Sequence, residues 1–66
     1  MAILKVIEIL ANSEKGWEDA AKNAVEHASK TVKNIRSVYI QEQSATVKDG
    51  KIENYRVNAK ITFEVV

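Results

Sequence analysis

Cysteine is absent from this 66-residue chain, histidine occurs once, and neither sign of charge is in excess. The first absence excludes disulfides and thiolate metal centres, and the second excludes the usual imidazole zinc clusters. Ten basic residues stand against nine acidic ones, spread along the chain, so there is no electrostatic footprint for nucleic acid or for an anionic membrane. Also missing are a Gly-rich phosphate loop, a nucleophile with a nearby base motif, and a pair of carboxylates placed where a pocket could form. These absences argue against an enzyme. The N-terminal apolar run from Ala2 to Ala11 is interrupted by Lys5 and Glu8 and has no small-residue cleavage pattern. It reads as a strand rather than a signal peptide, and a cytoplasmic location is the expectation.

What is present forms a single domain over residues 1–66. A chain of this length buries only about 60% of the surface its unfolded form exposes, so its isolated stability is marginal. Without disulfides or a metal, the remaining staple is a homo-oligomer.

Residues 2–10 are short in span and rich in Ile, Leu and Val, as suits a first strand. Apolar residues on both parities suggest a central or two-sided place in the sheet. A helix of about five turns follows, from near Ser13 or Gly16 to about Asn34. Trp17, Ala20, Ala21, Ala24, Val25, Ala28, Val32 and Ile35 give it one apolar stripe at i, i+3, i+4, i+7 spacing. Glu18 with Lys22 and Glu26 with Lys30 form i,i+4 pairs in the favourable order on the solvent side. Ser13 and Gly16 are both candidate caps. Trp17 lies in the stripe and reads as packing bulk. His27, at the flank of the stripe, reads as an exposed or subunit-contact residue rather than a ligand or a base.

The last third is organised around Asp49-Gly50, a strong signal for a two-residue turn in which both central residues take φ > 0. If Lys48 pairs with Lys51, every cross-strand pair sums to 99, and partners share a face. One face then carries Val38, Ile40, Tyr55, Val57, Ala59, Ile61, Phe63 and Val65, which is a core. The other carries Ser37, Tyr39, Gln41, Gln43, Ala45, Asn54, Arg56, Asn58 and Lys60. On that polar face Arg56 is expected opposite Gln43, within a dense set of amide donors and acceptors. Tyr39 there has no core to join, so a planar ligand or a neighbouring subunit is expected to cover it. The element order is β-α-β-β, an α+β unit.

The segments KVIEIL, SEKGWEDAAKNAVEHASKTVKNI and KDGKIENYRVNAKITFEV together resemble the dodecin family over nearly the whole chain. Lys5-Val6-Ile7-Glu8, Trp17-Glu18-Asp19-Ala20, Thr31-Val32-Lys33-Asn34-Ile35, and Asp49-Gly50 followed by Tyr55-Arg56-Val57 carry the likeness through their joint order and distances. The resemblance implies a three-stranded antiparallel sheet wrapped around one long helix, with twelve copies assembled into a hollow shell. It also implies a small-molecule ligand on the inner sheet face, flavin (riboflavin or flavin mononucleotide) by descent. The face would use Ser37, Tyr39, Gln41, Gln43, Arg56 and Asn58. Flavin-binding members stack the ring on a tryptophan and hold its edge with a glutamine. Here Ser37 stands at the first position and Arg56 at the second, so flavin binding is expected to be weakened. The chain thereby resembles the branch lacking that tryptophan, members of which are described as calcium-binding. Calcium is the alternative expectation, with no ligand set assigned.

Overall fold

The computed structural model describes residues 2–66. Three strands, β1 (Ile3–Ser13), β2 (Ile35–Lys48) and β3 (Lys51–Val65), form one antiparallel sheet, and a single helix, α1 (Trp17–Ala28), packs on one side of it. The strand order is β1-β3-β2, so β3 is central and β1 is an edge. The central place allowed for β1 is therefore corrected, while its two-sided character stands. β1 presents Ile7, Ile9 and Ala11 toward the helix and Leu4, Val6 and Leu10 away from it.

The turn forms as its residues dictate. Asp49 (φ 53°) and Gly50 (φ 76°) both take positive φ, and Lys48 pairs with Lys51. Beyond this tip the single register fails, because irregularities fall between Thr46 and Val47, between Ile40 and Glu42, and between Ile35 and Ser37. The first leaves Glu53 extra on β3 and shifts pairing by one residue. The second leaves Gln41 extra on β2 and shifts it back. Between the two, Ala45 pairs with Tyr55, Ser44 with Arg56, Gln43 with Val57 and Glu42 with Asn58. A one-residue slip moves each side chain to the opposite face. Gln43 and Ala45 thus lie on the helix side, not on the polar face, and Ser44 rather than Gln43 stands opposite Arg56.

α1 is 12 residues long, shorter than its apolar stripe suggests. The Ser29 hydroxyl donates to the Glu26 carbonyl (2.8 Å), and the Lys30 and Thr31 amides donate three residues back, to His27 and Ala28. Hydroxyl and β-branched residues compete poorly for helix interior, and three-residue closure tightens the last turn into an exit. Asn34 then takes a left-handed conformation (φ 63°), and its carbonyl accepts from the Glu64 amide at 3.0 Å. Val32 and Ile35 consequently belong to the exit and to β2, not to the helix.

At its start the helix is capped by Gly16, with no side-chain cap. Ser13, the last residue of β1, is buried and acts as a strap. Its Oγ donates to Asp19 Oδ2 (2.6 Å) and accepts from the Lys15 amide (2.9 Å). The Ser13 hydrogen bond holds the Asp19 carboxyl below the usual aspartate range against a smaller opposing effect of burial, with Lys15, Asn23 and Lys22 assisting.

The core between helix and sheet is small in every sense. Ala24 and Ala28 meet Ala59 and Ile61, and Ala20 and Val57 are buried as well. Tyr55, Ile40 and Phe63 are half-buried, while Val38 and Val65, expected in the core, are exposed at its rim. Methyl side chains along the seam let the helix lie close on β3. Ala24→Leu is expected to destabilise the fold by about 1–3 kcal/mol through overpacking, read as a lowered denaturant midpoint. Asp19→Asn gives a second test. Because the folded carboxyl is the stronger acid, its stabilisation is complete above the unfolded-state value and is lost as pH falls through the folded one. Wild type should lose stability on acidification below the ordinary aspartate range, and Asp19→Asn should show a flatter acid limb in thermal unfolding.

Candidate functional site

The side of the sheet away from α1 is bare, and β3 runs down its middle. From β3 it receives Asn54, Arg56, Asn58, Lys60, Thr62 and Glu64, the residues alternating with the buried Val57, Ala59 and Ile61. From β2 it receives Ser37, Tyr39, Glu42 and Ser44, each paired with one of those residues. From β1 it receives Leu4, Val6, Glu8, Leu10 and Asn12.

Arg56 is held in place on this surface by a side-chain hydrogen bond. It is half-buried, and its Nε donates to Asn12 Oδ1 across the β1–β3 pairing at 2.9 Å. An amide acceptor leaves the guanidinium charge uncancelled and the other N–H groups free to point outward. Two residues along, Asn58 lies between Leu10 and Glu42, and its Oδ1 is buried without a hydrogen-bond partner. An unsatisfied buried acceptor costs about 1–3 kcal/mol unless a donor arrives from outside the chain. Tyr39, 63% exposed, stands beside Lys60, the next residue of β3 on this face after Asn58.

Among the expected site residues, the fold brings Tyr39, Asn58 and Arg56 onto one stretch of about 13 Å, four residues of β3. Ser37 shares their face but pairs with Thr62, six residues from Arg56, and so lies about 20 Å away. No single planar ligand touches both Ser37 and Arg56 of one chain. Gln41 is the unpaired bulge residue, and Gln43 is on the helix side, as described above. Asn12, Ser44 and Glu42, neighbours of Arg56 and Asn58, went unnoticed in the sequence because their placement depends on β1 pairing with β3 and on the bulges. The apolar stripe Leu4, Val6 and Leu10 did leave a signal, the apolar residues on both parities of the first strand.

Trp17 is away from this face, in a packing role as its place in the stripe predicts. Its indole N–H donates to the Ser44 carbonyl (2.8 Å), and its ring meets Tyr55 edge-on, with centroids 4.9 Å apart at 80°. Among the described residues no group of three His, Cys, Asp or Glu side chains is placed to hold a metal ion. Likewise, no helix there is long and apolar enough to cross a membrane.

Known proteins share both sequence and fold with this chain. The Dodecin family model matches residues 3–66. A protein named calcium dodecin from Mycobacterium tuberculosis is 34% identical over 65 residues, covering 98% of this chain and 92% of its own. The crystal structure of calcium dodecin from that organism, described as calcium-chelating with a novel calcium-binding site, superposes with a TM-score of 0.85 at 37% identity, covering 97% of this chain and 91% of its own. The dodecin of Streptomyces coelicolor superposes more closely, with a TM-score of 0.95 at 25% identity, covering 98% and 93%. The order β-α-β-β, the edge-centre-edge sheet around one helix and a sequence match from Ile3 to Val66 agree in one assignment: the chain belongs to the dodecin family.

Proposed function

We propose that the chain is a non-enzymatic small-ligand binding and storage protein that works as a hollow homo-dodecamer, with the bare sheet face as an internal surface that contacts ligand and neighbouring subunits. The observation that carries this is the apolar stripe on that face. Leu4, Val6 and Leu10 are 55%, 58% and 65% exposed in the single chain, on a domain whose own core is mostly alanine. Covering such side chains contributes roughly 1 kcal/mol or more apiece, which a 66-residue chain needs and its own fold does not supply. The ligand surface is Tyr39, Asn58 and Arg56 of one copy with Ser37 of another, since Ser37 is too far from its own Arg56. Gln41, at the bulge, borders it. With Ser37 in place of an indole and Arg56 in place of an amide, flavin binds weakly: a stacking contact worth about 1 kcal/mol is absent, and the guanidinium donates but cannot accept.

A second reading, calcium binding by the shell with no organic ligand, is favoured by the 34% identity to a calcium dodecin. Since no cluster of three ligating side chains exists within the described part of one chain, such a site draws carboxylates from several copies around a symmetry axis.

Light scattering coupled to size exclusion tests the assembly, with twelve copies of the 7.4 kDa chain expected and a monomer or dimer at micromolar concentration refuting it. Riboflavin titration followed by flavin fluorescence tests the ligand. Weak quenching is expected, strengthened in Ser37→Trp/Arg56→Gln. No quenching at tens of micromolar, together with a calcium-dependent rise in melting temperature, selects the calcium reading.

A further inference from the structure

The rung that crosses all three strands at Arg56 is built of hydrogen-bond donors. Asn12 on β1 and Ser44 on β2 stand directly opposite Arg56 on β3, one on each side. Directly opposite side chains lie about 5 Å apart, so all three reach a point above the central residue. A guanidinium has no acceptor, and its Nε donates to Asn12 Oδ1 at 2.9 Å. That bond turns the oxygen of the Asn12 amide toward Arg56 and leaves the amide N–H groups unused. Among the described residues neither they, nor the Ser44 hydroxyl, nor the terminal N–H groups of Arg56 donate to another group.

The same bond governs the charge. Arg36, the other arginine of the chain, is neutralised by Glu64 at 3.0 Å, whereas Arg56 has no carboxylate within ion-pair distance among the described residues. The nearest by register is Glu42, which faces Asn58 from β2 on the adjoining rung. The bond to Asn12 draws the guanidinium the other way, toward β1. On that adjoining rung Asn58 Oδ1 is buried, so this acceptor does not face an incoming anion. Leu10 ends the rung on the β1 side, 65% exposed, and gives the charge an apolar flank. A half-buried cation with free donors and no counter-ion suits an oxyanion, which its planar fork can take through two parallel hydrogen bonds.

We infer that Arg56, Asn12 and Ser44 bind the carboxylate or phosphate group of a small ligand whose apolar part lies on Leu10. The terminal N–H groups of Arg56 take two of its oxygens, and Asn12 Nδ2 and Ser44 Oγ donate to them from either side. The inference rests on the ligand-binding reading above and deepens it, by giving the ligand a negative charge.

The test titrates inorganic phosphate, acetate and benzoate at constant ionic strength, with chloride as the balancing ion, and follows the Nε–H signals of the two arginines by nuclear magnetic resonance. The Arg56 signal should shift and saturate, with Arg36 unmoved as the internal control. Asn12→Asp puts a carboxylate inside the site at nearly unchanged shape and should raise the half-saturating concentration at least tenfold. Arg56→Gln, followed at the Ser44 amide, should abolish saturation, and circular dichroism confirms that both variants fold. Benzoate should saturate the site at a lower concentration than acetate, an advantage lost in Leu10→Ser; without that advantage the apolar flank is overturned. Saturation by phosphate alone or by the carboxylates alone supports the site and assigns the group it takes. Unsaturating drifts shared by both arginine signals, or an Asn12→Asp response equal to that of wild type, overturn it. So does an Arg56→Gln variant that loses assembly while wild type binds no anion, which would give Arg56 a neighbouring subunit's carboxylate instead. Riboflavin carries no oxyanion: if it binds while the anions do not, the ligand-binding reading stands and the oxyanion site falls, and if none binds, both fall.

Discussion

Ala20, Ala24 and Ala28 lie four residues apart on one line of α1, all buried, and β3 meets the last two with Ala59 and Ile61. That contact sets the distance between helix and sheet, and through it the shape of everything else. A close helix leaves little room beneath it, so few large side chains can be buried in one chain. Val57 and Ile61 are the largest side chains fully enclosed. The aliphatic side chains left over point outward, Leu4, Val6 and Leu10 from the bare face and Val47 with Ile52 from the hairpin tip. A larger residue in the seam would enclose more within one chain and would lift the helix off the strand. The alanine seam therefore trades internal core for external apolar surface, the kind of surface that a partner can cover.

Those parts of the fold that depend on local chemistry were legible in the sequence. Asp49-Gly50 dictates its turn because few other dipeptides tolerate two positive φ angles in succession, and the i, i+4 alanines mark the buried face of α1. Register further from the turn was legible only as far as the first bulge. Glu53 and Gln41 have no composition that marks them as extra residues; the slip they cause comes from how two long strands twist around a helix. Between them the parity inverts, which is why Gln43 moved to the helix side while Tyr39, Asn58 and Arg56 kept their places. The helix ended early for a similar reason. Val32 and Ile35 continue the apolar spacing, yet Ser29, Thr31 and the left-handed Asn34 redirect the chain before they can join it.

In the candidate site, chemistry and geometry divide in the same way. That the bare face would hold an arginine among amides follows from parity on β3 alone. That Arg56 is clamped by Asn12, and that Asn58 keeps an acceptor unpaired, follows from the pairing of β1 with β3, a contact between segments more than forty residues apart. The separation of Ser37 from Arg56 is likewise a property of strand length, and it parts two residues that sequence parity had placed on one face.

Ser44 gives the sheet an unusual conduit between its faces. Its side chain stands opposite Arg56 on the bare face, while its carbonyl holds the indole of Trp17, the only tryptophan in the chain, on the other. A displacement of β2 beside Arg56 moves the acceptor of that hydrogen bond, and indole emission responds to the strength of such a bond. The protein thus contains a native optical reporter joined through the backbone of β2 to the bare face beside Arg56, with the sheet between the indole and that face.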